Sequence, residues 1–277
     1  MIEPRAKARF PRRIRPGIRP RAEEGSQLTC LVLFAGSDEW VGVDLRSGAL
    51  LRSRRGEASR LRVANNAEGD HRLARFDVVA LEVGRDDDPI DPARPEAIAS
   101  AGPPQYLGRP SPRRVRRLLS ELAAPERAGA SLLSTWGPSV AYVDLDGSSQ
   151  SVAIVATSPR QLALTESESG SPVAVVTWSG TTQSMPVVDP VARRALAGAD
   201  GALSKSELVE ALGFRPSYLV CALGAVRNGH APKLVLSVLP SRFPRNLGKR
   251  IHSLLWEGTS GEVLGHRPAE GNKGVPT

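Results

Sequence analysis

The chain is poor in aromatics, cysteine and histidine. Phe, Trp and Tyr make up 4% of its 277 residues, so the core must be built mainly from Val, Leu, Ile and Ala. Two cysteines and four scattered histidines offer no zinc-ligand spacing. Cys30 and Cys221 each lie in an apolar, strand-like run (LTCLVLF and SYLVCAL). They read as buried free thiols, with pairing left open. No apolar run approaches the ~20 residues needed to span a bilayer, so no membrane span is expected.

Catalytic signatures are lacking too. There is no P-loop and no G-x-G-x-x-G after a strand, so no nucleotide site is indicated. The pairs Ser179-Gly180 and Gly147-Ser148 do not complete a G-x-S-x-G elbow. His71, His230, His252 and His266 have no flanking signature. His230, beside an Asn-Gly turn, is the one to test. Asp86, Asp87, Asp88 and Asp91 lack the alternating oxygens that a hard cation needs and read as a solvated turn. The stretch at Asp200-Gly201 resembles the second half of an EF-hand loop ending on Glu207. Its first and third positions would be Leu196 and Gly198, which supply no side-chain oxygen. No catalytic residue, metal or cofactor is assigned.

Charge is present but uneven. The formal net charge is +8. Residues 1–22 hold eight basic side chains and one acid, which leaves 29 basic and 28 acidic residues in the rest. The body is therefore nearly neutral and the arm basic. Arg outnumbers Lys by 32 to 5, which suits phosphate recognition but equally matches the codon bias of a GC-rich genome.

Residues 1–27 are Pro/Arg-rich, and prolines 4, 11, 16 and 20 forbid a continuous helix. Such a segment reads as a disordered arm. Residues 28–36 (LTCLVLFAG) read as a buried strand. A basic stretch before an apolar run also resembles a weak signal peptide ending near Gly36. The expected location is the cytoplasm, with export as the alternative.

Two hairpins led by tryptophan are expected. The clearer lies in residues 136–157, with strands at 140–145 and 150–156. A four-residue loop sets Val143 opposite Val152 and Ala141 opposite Ile154, matching like with like on both faces. That makes the hairpin buried scaffold, with only Asp144 and the loop 146–149 left for contacts. The other spans 40–52. A three-residue loop with Gly48 in the left-handed conformation sets Val43 opposite Leu51. Its second face carries Gly42, Asp44 and Arg52, so it is expected to be half buried.

Val43-Asp44-Leu45 and Val143-Asp144-Leu145 stand 100 residues apart, a thin sign of duplication. The run VDLRSGALL from Val43 resembles a hairpin of quinoprotein-type propeller blades. No repeat of ~40–50 residues follows, so that family is not adopted.

Further strands are expected at 60–64, 76–83, 161–165, 173–179 and 183–188. Two more, at 218–226 and 233–239, are joined through the strong turn signal Asn228-Gly229. Helices are expected at 111–124, at 191–197 after the cap Asp189-Pro190, at 205–212 behind a capping box of Ser204 and Glu207 and ended by Gly213, and at about 246–257. The first has Pro112 at its start, Pro125 beyond its end, and Val115, Leu118, Leu119 and Leu122 on one stripe. Arg113, Arg114, Arg116 and Arg117 fall mostly off that stripe, near a helix start where the dipole does not favour cations.

The expected fold is α+β and β-rich. Two antiparallel β-meander halves (sandwich or open-barrel-like) accompany three to four short helices. The layout runs as arm 1–27, first half 28–104, connecting helix 105–128, second half 129–257 and flexible tail 258–277. The expected function is non-enzymatic binding of an anionic partner, a nucleic acid or an acidic protein. Its anion-binding candidates are Arg9, Arg12, Arg13, Arg15, Arg113, Arg114, Arg116, Arg117, Lys249 and Arg250. The alternative is a hydrolase whose site is assembled only by the fold. Trp40, Trp136 and Trp178 could stack bases if exposed, but packing is the commoner role.

Overall fold

The structure is a computed structural model. It describes residues 23–36, 39–53, 62–63, 71–85, 91–127, 130–147 and 150–240. The basic arm up to residue 22, Asp86 to Asp88, the expected helix at 246–257 and the tail lie outside the described residues.

The first part of the chain is strand-rich. It contains β1 (Gln27–Ala35), β2 (Trp40–Asp44), β3 (Leu50–Ser53), β4 (Arg62–Val63), β5 (His71–Arg72), β6 (Val78–Glu82), β7 (Ala97–Ile98) and β8 (Gln105–Gly108). Helix α1 (Pro112–Leu122) follows. Then come β9 (Ser139–Ala141), β10 (Val152–Ala156), β11 (Leu162–Glu166), β12 (Pro172–Trp178) and β13 (Thr181–Pro186). The last described elements are α2 (Pro190–Ala197), β14 (Leu203–Ser204), α3 (Lys205–Leu212), β15 (Pro216–Leu223) and β16 (His230–Pro240). The expected β-rich α+β class holds.

The strands form a six-stranded sheet, β7-β3-β2-β1-β6-β8, and two four-stranded sheets, β10-β15-β16-β9 and β13-β12-β11-β14. A two-stranded ribbon joins β4 to β5. Among the described strands pairing is antiparallel except between β3 and β7, and isolated parallel bridges join Ala124 to Val155 and Val187 to Val235.

The apolar run at 28–36 forms β1, the strand buried on both faces at the middle of the six-stranded sheet. Leu31 and Leu33 point into a core shared with Val115, Leu118 and Leu119 of α1, Ile154 of β10 and Val220 of β15. Cys30 and Val32 point the other way. They join Trp40, Leu51, Val79 and Leu81, all from the same sheet. A sheet that builds a second core from its own residues must curl, and a bulge between Val32 and Phe34 helps it do so. Gly42 sits opposite that bulge. A Cβ there would stand 2.8 Å from the Leu31 carbonyl oxygen, so no larger residue fits.

Local signals formed largely as expected. Pro112 opens α1, and its four apolar stripe residues are buried. The Asp189 carboxylate caps α2 by accepting from Val191 N at 2.8 Å. Gly213 ends α3 at φ +70°. The capping-box bond expected from the Ser204 side chain is not made. At Asn228-Gly229 both residues have positive φ, and Arg227 and His230 exchange backbone bonds of 2.8 and 3.0 Å. That turn joins β15 to β16, as expected.

The hairpin at 136–157 does not form. Its two strands lie on opposite edges of one sheet, with β15 and β16 between them. β10 pairs with β15, from Val152↔Ala222 to Ala156↔Tyr218, and β9 pairs with the start of β16. Residues 142–144 make a single 3₁₀ turn instead of strand, and Val143 is 90% exposed. The match between the two segments was real, but the long β15–β16 hairpin presents two bare edges and each segment covers one. Local matching orders faces; it does not choose partners.

The hairpin at 40–52 forms one residue out of register. Asp44 N donates to Ala49 O at 2.9 Å, so the loop holds four residues and Val43 faces Leu50. The Asp44 carboxylate fixes this loop by accepting from Ser47 N at 2.9 Å and Ser47 Oγ at 2.6 Å. Gly48 takes φ +77°, as expected. The slip exchanges faces on β3. Leu51 joins Trp40 in the second core, and Arg52 turns towards the four-stranded sheet. The hairpin is therefore buried on both faces, not one.

Candidate functional site

The sequence-predicted candidates that the structure describes are the four arginines of α1. Burying the Val115/Leu119 stripe forces Arg113, Arg114, Arg116 and Arg117 into solvent. Arg117 Nε donates to Glu121 Oε1 at 2.8 Å, one turn on. Arg113 and Arg116 form no ion pair with any described residue. The segment 97–120 carries Arg109 and these four arginines and no acid at all. Arg109 is committed, since its Nε donates to buried Asp77 at 3.0 Å. Arg9, Arg12, Arg13, Arg15, Lys249 and Arg250 lie outside the described residues, so α1 is the part of the proposed surface with a fixed geometry.

Sequence reasoning missed the buried charge. Arg52 is 1% exposed. Its Nη1 donates to Ser151 Oγ at 3.1 Å and to Leu223 O at 2.9 Å, and its Nη2 donates to Glu39 Oε2 at 2.7 Å. Arg94 shares the same Glu39 oxygen. The Glu96 carboxylate accepts from Ser151 N at 2.5 Å and from Ser151 Oγ at 2.6 Å. Arg94, Glu39, Arg52, Ser151 and Glu96 thus form one chain of contacts with alternating charge, and the set ties β3 and the β7 region to β10 and β15. The charges balance, and Glu39 Oε2 and both Glu96 oxygens accept from the protein itself. Such a network fixes how two sheets sit together. No local pattern announces it, because its members are spread from Glu39 to Leu223.

A second buried pair, Arg75 with Asp189 at 3.0 Å, locks the α2 cap to β16. The same carboxylate accepts from Val238 N at 2.6 Å.

Lys233 is the most unusual ionisable group. It is fully buried, and its Nζ donates to Thr135 O at 2.6 Å and to Gln183 Oε1 at 3.1 Å. Both partners are neutral. Burial pushes the ammonium down from its ordinary 10.5 to about 8, with the Cys221 sulfur acting the other way. The sequence hint was one charge at the head of the apolar run KLVLSVL. The two cysteines are free and buried. Burial raises both thiols, Cys221 to about 12, so neither is a nucleophile at neutral pH.

The remaining candidates separate. His230 is exposed at the start of β16, and Asp144 is exposed in the 3₁₀ turn. Trp40 and Trp178 are buried as expected; Trp136 is not. A cleft of ≈ 320 Å³ beyond β6 is lined by Glu24, Glu82, Arg85 and Ser100. It holds no histidine or cysteine. Among the described residues no group of three or more His, Cys, Asp or Glu is placed to hold a metal, and no helix is long and apolar enough to cross a membrane.

Comparison with known proteins finds no matching family model, no matching curated protein and no matching solved structure.

Proposed function

We propose that this chain is a non-enzymatic binding protein whose basic surface contacts an anionic partner, a nucleic acid or an acidic protein. The observation that carries the reading is the α1 face. Its apolar stripe is anchored in the main core, so its arginines are held on a rigid element in solvent, within an acid-free stretch of sequence. The eight basic residues in the arm would add charge to that array. Two unpaired thiols in the core support a cytoplasmic setting. So does the placement of residues 28–35 as a central buried strand, because cleavage near Gly36 would remove it.

Mobility-shift titrations over a series of salt concentrations test the reading. The full chain is compared with the double variant Arg113→Ser/Arg116→Ser and with a chain lacking residues 1–22. Affinity is expected to fall steeply with salt, and the slope to drop by roughly one for each phosphate contact removed. Competition by polyglutamate in place of nucleic acid would assign the acidic-protein version. Salt-insensitive binding, or no binding to either polyanion, overturns the proposal. A hydrolase screen with His230→Ala as control addresses the rival, and robust wild-type turnover would displace the binding reading.

A further inference from the structure

Among the described residues the large apolar side chains that stand in solvent are Trp136 at 48%, Tyr142 at 38% and Val143 at 90%. All three fall in one short stretch, and that stretch brackets β9. β9 is an outer strand of its sheet, with β16 as its neighbour on one side.

The hydrogen-bond phase of β9 is fixed by its flanks. Lys233 N donates to Pro138 O at 2.8 Å, and Tyr142 N donates to Gly229 O at 2.8 Å. Bonding residues alternate along an antiparallel pair, so residues 138, 140 and 142 face β16. The N–H and C=O groups of Ser139 and Ala141 therefore point away from β16, to an edge that no described strand covers. An outer strand with exposed apolar side chains beside it is a template for pairing with another strand. It is also held ready. The Lys233 ammonium fixes Thr135 O, and the Lys233 backbone fixes Pro138 O, so the loop carrying Trp136 is anchored on both sides of that residue.

We propose that β9 is the docking strand for a second copy of this chain, paired antiparallel about a two-fold axis at Val140. The outward groups sit symmetrically around that residue. In this register Ser139 of each copy exchanges both bonds with Ala141 of the other, so every outward group is satisfied and none is left over. Two-fold pairing of one patch with itself is the commonest way for chains to associate. The register also suits the side chains. Antiparallel pairing brings the Trp136 end of each copy to the Tyr142 and Val143 end of the other, so the exposed apolar side chains gather along the seam. No Lys or Arg occurs between Arg127 and Arg160 to be buried there. This proposal does not depend on the charge of α1.

The test is sedimentation or light scattering on the full chain over a concentration series. The wild type is expected to pass from monomer to dimer. Val143→Glu puts a charge on an exposed side chain in the seam and is expected to abolish the dimer. Ala141→Pro removes one outward N–H; Ala141 already has φ −66°, which suits proline, and its N–H takes no part in the β16 ladder. It too is expected to give monomer. Arg113→Ser, away from β9 in sequence, is expected to leave the dimer intact. Circular dichroism checks that each variant is folded, and if Ala141→Pro is not, Val143→Glu decides alone. A wild type that stays monomeric throughout, or a dimer that survives Val143→Glu, overturns the proposal.

Discussion

Replacing Lys233 with methionine removes a buried cation whose two oxygen partners are both neutral. The folded pKa lies at about 8 and the unfolded value at 10.5. At about 1.4 kcal/mol per tenfold change in proton affinity, keeping the charge in the fold costs about 3 kcal/mol at most. The sign follows from proton counting. Between pH 8 and 10.5 the unfolded chain still holds the proton while the folded chain has released it. Stability contributed by this site therefore rises with pH through that window, and the full cost is present below it. Methionine removes the cost but leaves Thr135 O and Gln183 Oε1 without a donor, at roughly 1–3 kcal/mol for each group left buried. At pH 7 the two effects oppose each other, so a single measurement there says little. The decisive quantity is the difference in unfolding free energy between wild type and Lys233→Met, taken by urea denaturation from pH 7 to pH 10.5. Other titrating groups cancel in that difference. The wild type should gain on the variant by about 2–3 kcal/mol as pH rises. A difference that stays flat with pH would refute the reasoning, because it would mean that Lys233 titrates alike in both states.

Three further substitutions test the packing. Arg52→Leu removes one donor each from Glu39, Ser151 and Leu223 O and should destabilise by about 3–5 kcal/mol in chemical denaturation, since the network is left with two glutamates and the single cation of Arg94. Leu119→Ala, at a fully buried position in the stripe that holds α1 to the core, should cost about 2–5 kcal/mol by the same assay. Gly42→Ala drives a methyl to 2.8 Å from backbone oxygen at the β1–β2 bulge and should lower the thermal midpoint, at a cost of about 1–3 kcal/mol.

The sequence by itself determined what is local. Helix α1, its buried stripe and its exposed arginines followed from a proline, a 3.6-residue apolar period and the rule that what is off the stripe meets water. The Asn228-Gly229 turn and the Asp189 cap followed from chemistry confined to a few neighbouring residues. Most strands were legible because alternation marks them. Their partners were not. Residues 139–141 and 152–156 matched each other in pattern, yet each was taken by the β15–β16 hairpin, because a period of two specifies faces and not neighbours. At the turn after Asp44 one extra loop residue, set by a carboxylate taking local N–H groups, shifted the register and carried Arg52 from a surface position into the interior. There it met Glu39, Ser151 and Leu223 O, residues that only the packing of two sheets brings within hydrogen-bonding distance. The low folded pKa of Lys233 arose in the same way, from a loop and a strand distant in sequence closing over one ammonium group. Tertiary structure decided these features because burial and charge pairing depend on what the fold brings together, and the sequence order does not contain that.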